Sequence, residues 1–218
     1  MSSRMGHPLA YPVVVTIGAL VSCLIWAPFA DPDQVAMLGT VTLVIVGYSV
    51  FRLGMAVGWL PNGLPGREVG VRRVRQQYRL VSRSWLEFTL GGRTRWLPVY
   101  FDPGLVSLTQ GTAELSSRAV RVGDLRVYPA GRARDIEPQG RLIDNPGRVD
   151  PEAGVLAARA NRVGRRLLLD AQSAVAAPVA GLLWVYVDGG GTAAFVGATV
   201  VAAATAVWLA AIRGSDPS

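Results

Sequence analysis

Four blocks along the chain are long and apolar enough to cross a membrane. Residues 9–29 carry no charge, and neither do residues 35–51; after Arg52 the apolar character resumes over 53–60. Residues 171–187 are uncharged, in a run that begins at 167 when Asp170 is passed over, and residues 193–212 form the fourth block. A helix rises about 1.5 Å per residue and the hydrocarbon core is about 30 Å thick, so roughly 20 residues span it. The pattern predicts four transmembrane helices. Four buried helices of a soluble fold would need more polar chain around them than this sequence contains. The first block, with Arg4 ahead of it, is also where a signal peptide would lie. Its apolar run exceeds the roughly 7–15 residues of a signal core, and Trp26-Ala27-Pro28-Phe29-Ala30 is a poor cleavage site, so an uncleaved span is expected.

Between the second and third blocks the pattern changes. Residues 85–90 alternate, with Leu86, Phe88 and Leu90 on one face. Gly91-Gly92 is a two-residue hairpin signal, and 95–101 is the return strand, with Pro98 suited to an edge. Asp102-Pro103-Gly104 turns the chain into a strand at 105–108; 118–122 and 125–128 are two more, joined at Gly123-Asp124. Five or more short strands in this space predict a small barrel or sandwich. Ahead of them, Val71, Val74, Tyr78 and Val81 fit one helical face with Arg72, Arg73, Arg75 and Arg79 around the rest. That stretch, 67–82, reads as a basic amphipathic helix on anionic lipid headgroups, or as a solvated charged face or first strand. Residues 129–151, rich in Pro, Gly and charge, read as a linker with little core. Asp150 as N-cap, Pro151 at the first helical position and Glu152 in the first turn then predict one long helix continuing into the third span.

The expected architecture is an α+β integral membrane protein, four transmembrane helices with a small β-rich domain inserted between helices 2 and 3. It divides into 1–60 (helices 1 and 2), 61–150 (β-rich domain and linker) and 151–218 (juxtamembrane helix, helices 3 and 4).

Charge placement orients this arrangement. The chain is 17% charged, against roughly 25% in soluble domains. All 22 basic residues are arginine, for a net charge of +7. The links at 30–34 and 188–192 hold acids and no base, whereas residues 61–166 hold 19 arginines against 10 acids. Basic loops stay on the cytoplasmic side. Both termini and the central domain are therefore expected on the cytoplasmic face of the inner (plasma) membrane.

The raw material for chemistry is thin. One histidine, His7, and one cysteine, Cys23, leave no internal disulfide, no cysteine-based zinc site and almost no basis for Ser-His-Asp catalysis. Without lysine no P-loop can exist. No catalytic residue, cofactor or metal site is expected, and the protein reads as a non-enzyme. Arg52 and Asp170 lie toward the cytoplasmic ends of their spans, where snorkelling is the simplest role and a mutual pairing the alternative. With Arg165 and Arg166 they form the expected membrane-interface charges. Trp85, Trp96 and Tyr100 read as core, with an exposed aromatic patch as the alternative. The basic run is explained by topology, so no nucleic-acid partner is expected.

Packing surfaces are more informative. Ala194, Ala198, Ala202, Ala206 and Ala210 fall every fourth residue in the last span, and Gly54 and Gly58 form a GxxxG at the end of the second. Small-residue stripes let helices approach closely in lipid, within one bundle or toward an integral membrane partner. Four spans, a central domain whose bases are all arginine, and no catalytic residues together resemble the small membrane proteins of mycobacteria and related actinobacteria. Among these, the outline resembles the lipid-uptake-coordinator type of accessory subunit found with Mce lipid importers. That resemblance implies modulation of lipid uptake, with the importer's permease and ATPase subunits as partners, and carries over no site residue. The expected function is a non-catalytic accessory or scaffold subunit of an inner-membrane complex. The alternative is a membrane-embedded transporter or enzyme acting on lipid.

Overall fold

The computed structural model describes residues 6–144 and 152–218. Among these, four helical stretches are long and apolar enough to cross a membrane: Ala10–Phe29, Pro32–Val57, Val163–Asp188 and Gly191–Ile212. The first is α1 (Ala10–Trp26) with a 3-10 turn at Ala27–Phe29. Helix α2 (Pro32–Val57) starts sharply because Asp31 accepts a bond from the Gln34 amide at 2.9 Å and Pro32 takes the first helical position. It ends at Gly58, whose φ of +89° is a left-handed cap. Gly58 therefore does not extend a small-residue stripe along the helix. It faces the Arg118 carbonyl oxygen, which any Cβ there would overlap.

The expected long helix into the third span is broken. Helix α3 (Ala153–Ala160) ends before Arg162, whose ψ of 130° is extended, and α4 (Val163–Asp170) begins after it. A 3-10 stretch at Ala171–Ala176 follows, then α5 (Ala177–Asp188). Pro178 supplies no amide for the preceding turn, which favours a change of helix type there over an unbroken α-helix. The proposed cap at Asp150 and Pro151 lies outside the described residues. Helix α6 (Gly191–Ile212) packs between α1 and α5.

Residues 67–78 are a strand and not a helix. Strand β1 (Arg67–Tyr78) pairs antiparallel with β2 (Val81–Leu90), setting Val71 opposite Phe88 and Val74 opposite Trp85. Val71 lies in the main core of the sheet, and Val74 packs with Trp85 and Trp96 on the other face. Both faces of the strand are thus covered, so its apolar positions do not follow strict alternation and imitate a helical spacing. Strand β3 (Arg93–Val99) returns from the Gly91-Gly92 turn, both glycines at positive φ.

The expected strand at 105–108 is absent: Pro103–Leu105 is a 3-10 turn, fixed by the Asp102 carboxylate accepting from the Gly104 amide. The next strand is β4 (Gly111–Leu115), followed by β5 (Val120–Val122) and β6 (Leu125–Val127). Strand β7 (Arg141–Asp144) lies within the stretch read as a linker.

The order is β3-β2-β1-β4-β5-β6, with β7 sharing the β4 edge of β1. The sheet curls until the chain leaving β6 meets β3, where Val99 bridges Pro129 and Trp96 bridges Arg134. Pro98 does sit on this edge strand, its carbonyl accepting from the Ala130 amide at 2.7 Å. Trp85, Trp96 and Tyr100 are buried.

Candidate functional site

Two places in the fold concentrate unusual features: a buried polar seam between the helices and the sheet, and an apolar cleft within the helices.

The seam is assembled by the residues after α6. They fold back along β2, where Ser215 bridges Arg83 and the Asp216 amide donates to the Ser82 carbonyl at 2.9 Å. This brings the Asp216 carboxylate to the Arg73 guanidinium at 2.6 Å, with both side chains at most 2% exposed. The same carboxylate accepts from the hydroxyls of Ser84 and Ser218, each at 2.6 Å. Burial alone would raise the Asp216 carboxyl. The Arg73 charge and the bonds from Ser218 and Ser84 outweigh it and hold the group below its ordinary range.

One residue earlier, the Ser215 hydroxyl donates to Asp170 at 2.8 Å, and the Tyr11 hydroxyl donates to the same oxygen at 2.7 Å. Asp170 therefore does not snorkel and does not pair with Arg52; it is buried beneath the tail. Arg166, expected at a headgroup interface, is 2% exposed. Its guanidinium carbon lies 4.0 Å from the centre of the Tyr11 ring, and it donates to the Ser215 carbonyl at 3.3 Å. Arg165 is exposed. Arg52 packs over the Tyr48 ring, 5.5 Å from its centre.

The seam has acceptors and hydroxyl donors in a closed network, with no histidine in it. Its geometry fastens three helices and a sheet together. Among the described residues, no three metal-ligating side chains gather. Nothing in the spacing of the sequence marks Arg73, Ser84, Ser215 or Asp216, because they meet only when the tail folds back across the sheet.

The cleft lies between α2 and α6. The two helices touch near the sheet, where the Trp208 indole donates to the Ser49 hydroxyl at 2.9 Å and the Tyr48 ring meets the Trp208 edge. At the far end, Gln34 of α2 donates to Asp188 of α5 at 2.8 Å. Between these fastenings the walls enclose about 640 Å³. Met37, Leu38 and Val41 line one wall, and Ala194, Ala198, Ala202 and Ala206 line the other.

Ala210, the fifth alanine of the stripe, is instead buried. Gly54 is also buried, with Leu60 the nearest side chain to it. The close helix crossings inside the bundle use other glycines. Gly181 of α5 rests against Thr199, and Gly197 of α6 rests against Trp26.

No family model matches the chain, no curated protein matches it, and no solved structure matches its fold. The functional reading therefore rests on these two places and on charge.

Proposed function

We propose that the chain is a non-catalytic accessory or scaffold subunit of an inner-membrane complex. Its β domain and both termini sit on the cytoplasmic side. The observation that carries the proposal is the alanine stripe of α6 lining an open cleft and not a closed helix crossing. In lipid, association depends on close van der Waals packing, and a floor of alanines admits a transmembrane helix of a partner. The orientation rests on arginine: 61–166 is strongly basic and both interspan links have no base. An even number of spans places the inserted domain on the same side as both termini. The complex we have in view is an Mce-type lipid importer, with its permease and ATPase subunits as partners. Exposed arginines of the β domain and of α4, such as Arg165, would meet anionic headgroups.

A second reading, a transporter or enzyme acting on lipid, is favoured by the apolar lining of the same cleft, which an acyl chain also fits. Co-purification in mild detergent separates the two. Ala202→Leu fills the floor of the cleft and is expected to remove a stoichiometric membrane partner while leaving protein levels intact. Val200, 40% exposed on the opposite side of α6, is the control. Val201 is unsuitable because it is buried in the helix core. Loss of the partner with Val200→Leu as well, or with neither variant, removes the support for the accessory-subunit reading. Loss of a lipid-dependent activity with no partner bound favours the second.

A further inference from the structure

Four arginines converge where α2 and α6 meet the sheet, and among the described residues none of them has an acidic partner within ion-pair distance. Arg52 lies in the last turns of α2, and Arg213 follows the last residue of α6. Both reach Tyr48: Arg52 stacks over its ring and Arg213 Nε approaches its hydroxyl at 3.4 Å. Arg83 on β2 bridges Ser215, two residues beyond Arg213. Arg134 packs over Trp85, two residues beyond Arg83 on the same face of β2, with its guanidinium carbon 5.7 Å from the ring centre.

The ion pairs of the described residues use Arg72, Arg73 and Arg95 and leave these four out. Among the described residues the Nε groups of Arg52 and Arg83 are buried with no hydrogen-bond acceptor, as are those of Arg95 and Arg166, but Arg95 has Asp135 beside it and Arg166 bonds through its other nitrogens. Leaving such donors unmet, in a group of like charges, is unfavourable. Burial, and then the charges of Arg213, Arg52 and Arg134, push the Arg83 guanidinium down to about 10. The fully buried arginines, Arg73 and Arg166, are enclosed by carboxylates, rings and carbonyls of this chain.

We propose that Arg52, Arg83, Arg134 and Arg213 form a binding site for a phosphate-type oxyanion. Guanidinium groups suit that ligand because their forked N–H donors match phosphate oxygens in pairs. The site lies level with the ends of two spans, the depth of lipid phosphates if these spans cross a bilayer. A phosphodiester headgroup and free phosphate share the chemistry. The Tyr48 and Trp85 faces hold the guanidinium groups of Arg52 and Arg134 in place. Gly131, whose Cβ would stand 3.1 Å from an Arg52 nitrogen, keeps room for that side chain.

The test uses the full-length protein, purified in detergent and stripped of lipid, with thermal stability as the readout. Three probes are titrated: dioctanoyl phosphatidylglycerol, dioctanoylglycerol without a phosphate, and inorganic phosphate. Phosphatidylglycerol is expected to raise the melting temperature, and dioctanoylglycerol is not. Arg83→Gln is expected to weaken the apparent affinity about tenfold, the equivalent of one charge-assisted hydrogen bond. It should leave the unliganded protein at least as stable, because it relieves like-charge repulsion. The exposed Arg213→Gln provides the same comparison should Arg83→Gln fail to fold.

Stabilisation by inorganic phosphate that both variants weaken identifies the ligand as free phosphate. Stabilisation by phosphatidylglycerol alone identifies a lipid headgroup. Equal effects of phosphatidylglycerol and dioctanoylglycerol, no effect of any probe, or unchanged affinity in the variants overturns the site.

Discussion

Changing Asp216 to asparagine tests the seam, because shape is kept and charge is removed. The Arg73 guanidinium, 2% exposed, then loses its counter-ion, and one acceptor facing it and Ser84 becomes uncharged or is replaced by a donor. Removing one partner of a buried pair costs about 3–5 kcal/mol when the other charge stays buried. The tail offers a cheaper escape. Beyond the Asp216 side chain, the Asp216–Ser82 backbone bond at 2.9 Å, the bridge at Ser215, the bonds of Ser215 with Arg166 and Asp170, and the Arg75 bond to the Ser218 carbonyl hold it in place. A backbone bond contributes about 1 kcal/mol net and a bond to a charged group about 1.5–3, so lifting the last residues from Asp216 onward, with Ser215 still held, and hydrating Arg73 is the favoured response.

The expected outcome is a released tail on a sheet that remains folded. Hydrogen exchange read on the peptide after Ile212 should lose its protection, while peptides from β2 and β3 keep most of theirs. The melting temperature should fall by less than the full buried-charge cost implies. Replacing both partners, Arg73→Met with Asp216→Leu, should destabilise less than the sum of the single changes by about 2 kcal/mol.

Acid should imitate the asparagine variant. Asp216 is held below its ordinary value, so its contribution is complete above the unfolded value of about 3.9 and is lost as pH falls through the folded value. The protection factor of the tail in the unmodified protein, the intrinsic exchange rate at each pH divided by the observed one, should therefore be flat above about pH 5 and fall below about pH 4, and the asparagine variant should lose that acid dependence. An asparagine variant with unchanged tail protection and melting would refute the seam as the fastening.

Two further outcomes check the bundle. Gly181→Ala places a methyl group on Thr199 and within 3.0 Å of the Phe195 carbonyl oxygen, so thermal melts should show about 1–3 kcal/mol of destabilisation. Gly47→Ala, with nothing within 4 Å, should be neutral or stabilising; equal effects at the two positions would mean that α5 and α6 do not cross there. For orientation, single cysteines placed at 31–33 should react with an impermeant thiol reagent from outside, against a low background because Cys23 is buried, and cysteines in β6 should not. Labelling of β6 from outside would reverse the proposed topology.

The four apolar blocks are legible because the requirement they meet is simple: enough consecutive apolar residues for the length of a span. The β2–β3 hairpin is legible because alternation and Gly91-Gly92 are local signals. Local signals mislead where two environments act on one element. Strand β1 is covered on both faces, so its valines follow no strict alternation. Residues 129–134 have the composition of a linker, yet they run along β3, where Ala130 is fully buried. Arg166 and Asp170 look like charges bound for the interface. Their burial depends on the tail, which returns from more than 40 residues later in the chain to cover them. Such contacts have no local sequence signature, because either residue alone would suit solvent.

The cleft and the sheet are mechanically connected through the ends of the helices that form its walls. The α2 carbonyl of Val57 accepts from Arg126 of β6 at 2.9 Å, and the α6 carbonyl of Ile212 accepts from the buried Tyr100 hydroxyl at 2.8 Å. Ala56 of α2 packs in one small cluster with Tyr100 and Ala130, at the place where the sheet curls closed. Both walls thus end on the same closure, through bonds shielded from water at Tyr100. A helix or acyl chain that wedges α2 from α6 would have to stretch these bonds, bend a helix, or move the two edges of the sheet apart. Packed interiors do not deform continuously, so the first and last options exchange one defined arrangement for another. Occupancy of the cleft then becomes a change in β2, which carries Arg83, and in the 129–134 segment along β3, which carries Arg134. The Ser49–Trp208 contact, which joins α2 to α6 at the sheet end of the cleft, is the fulcrum of that motion.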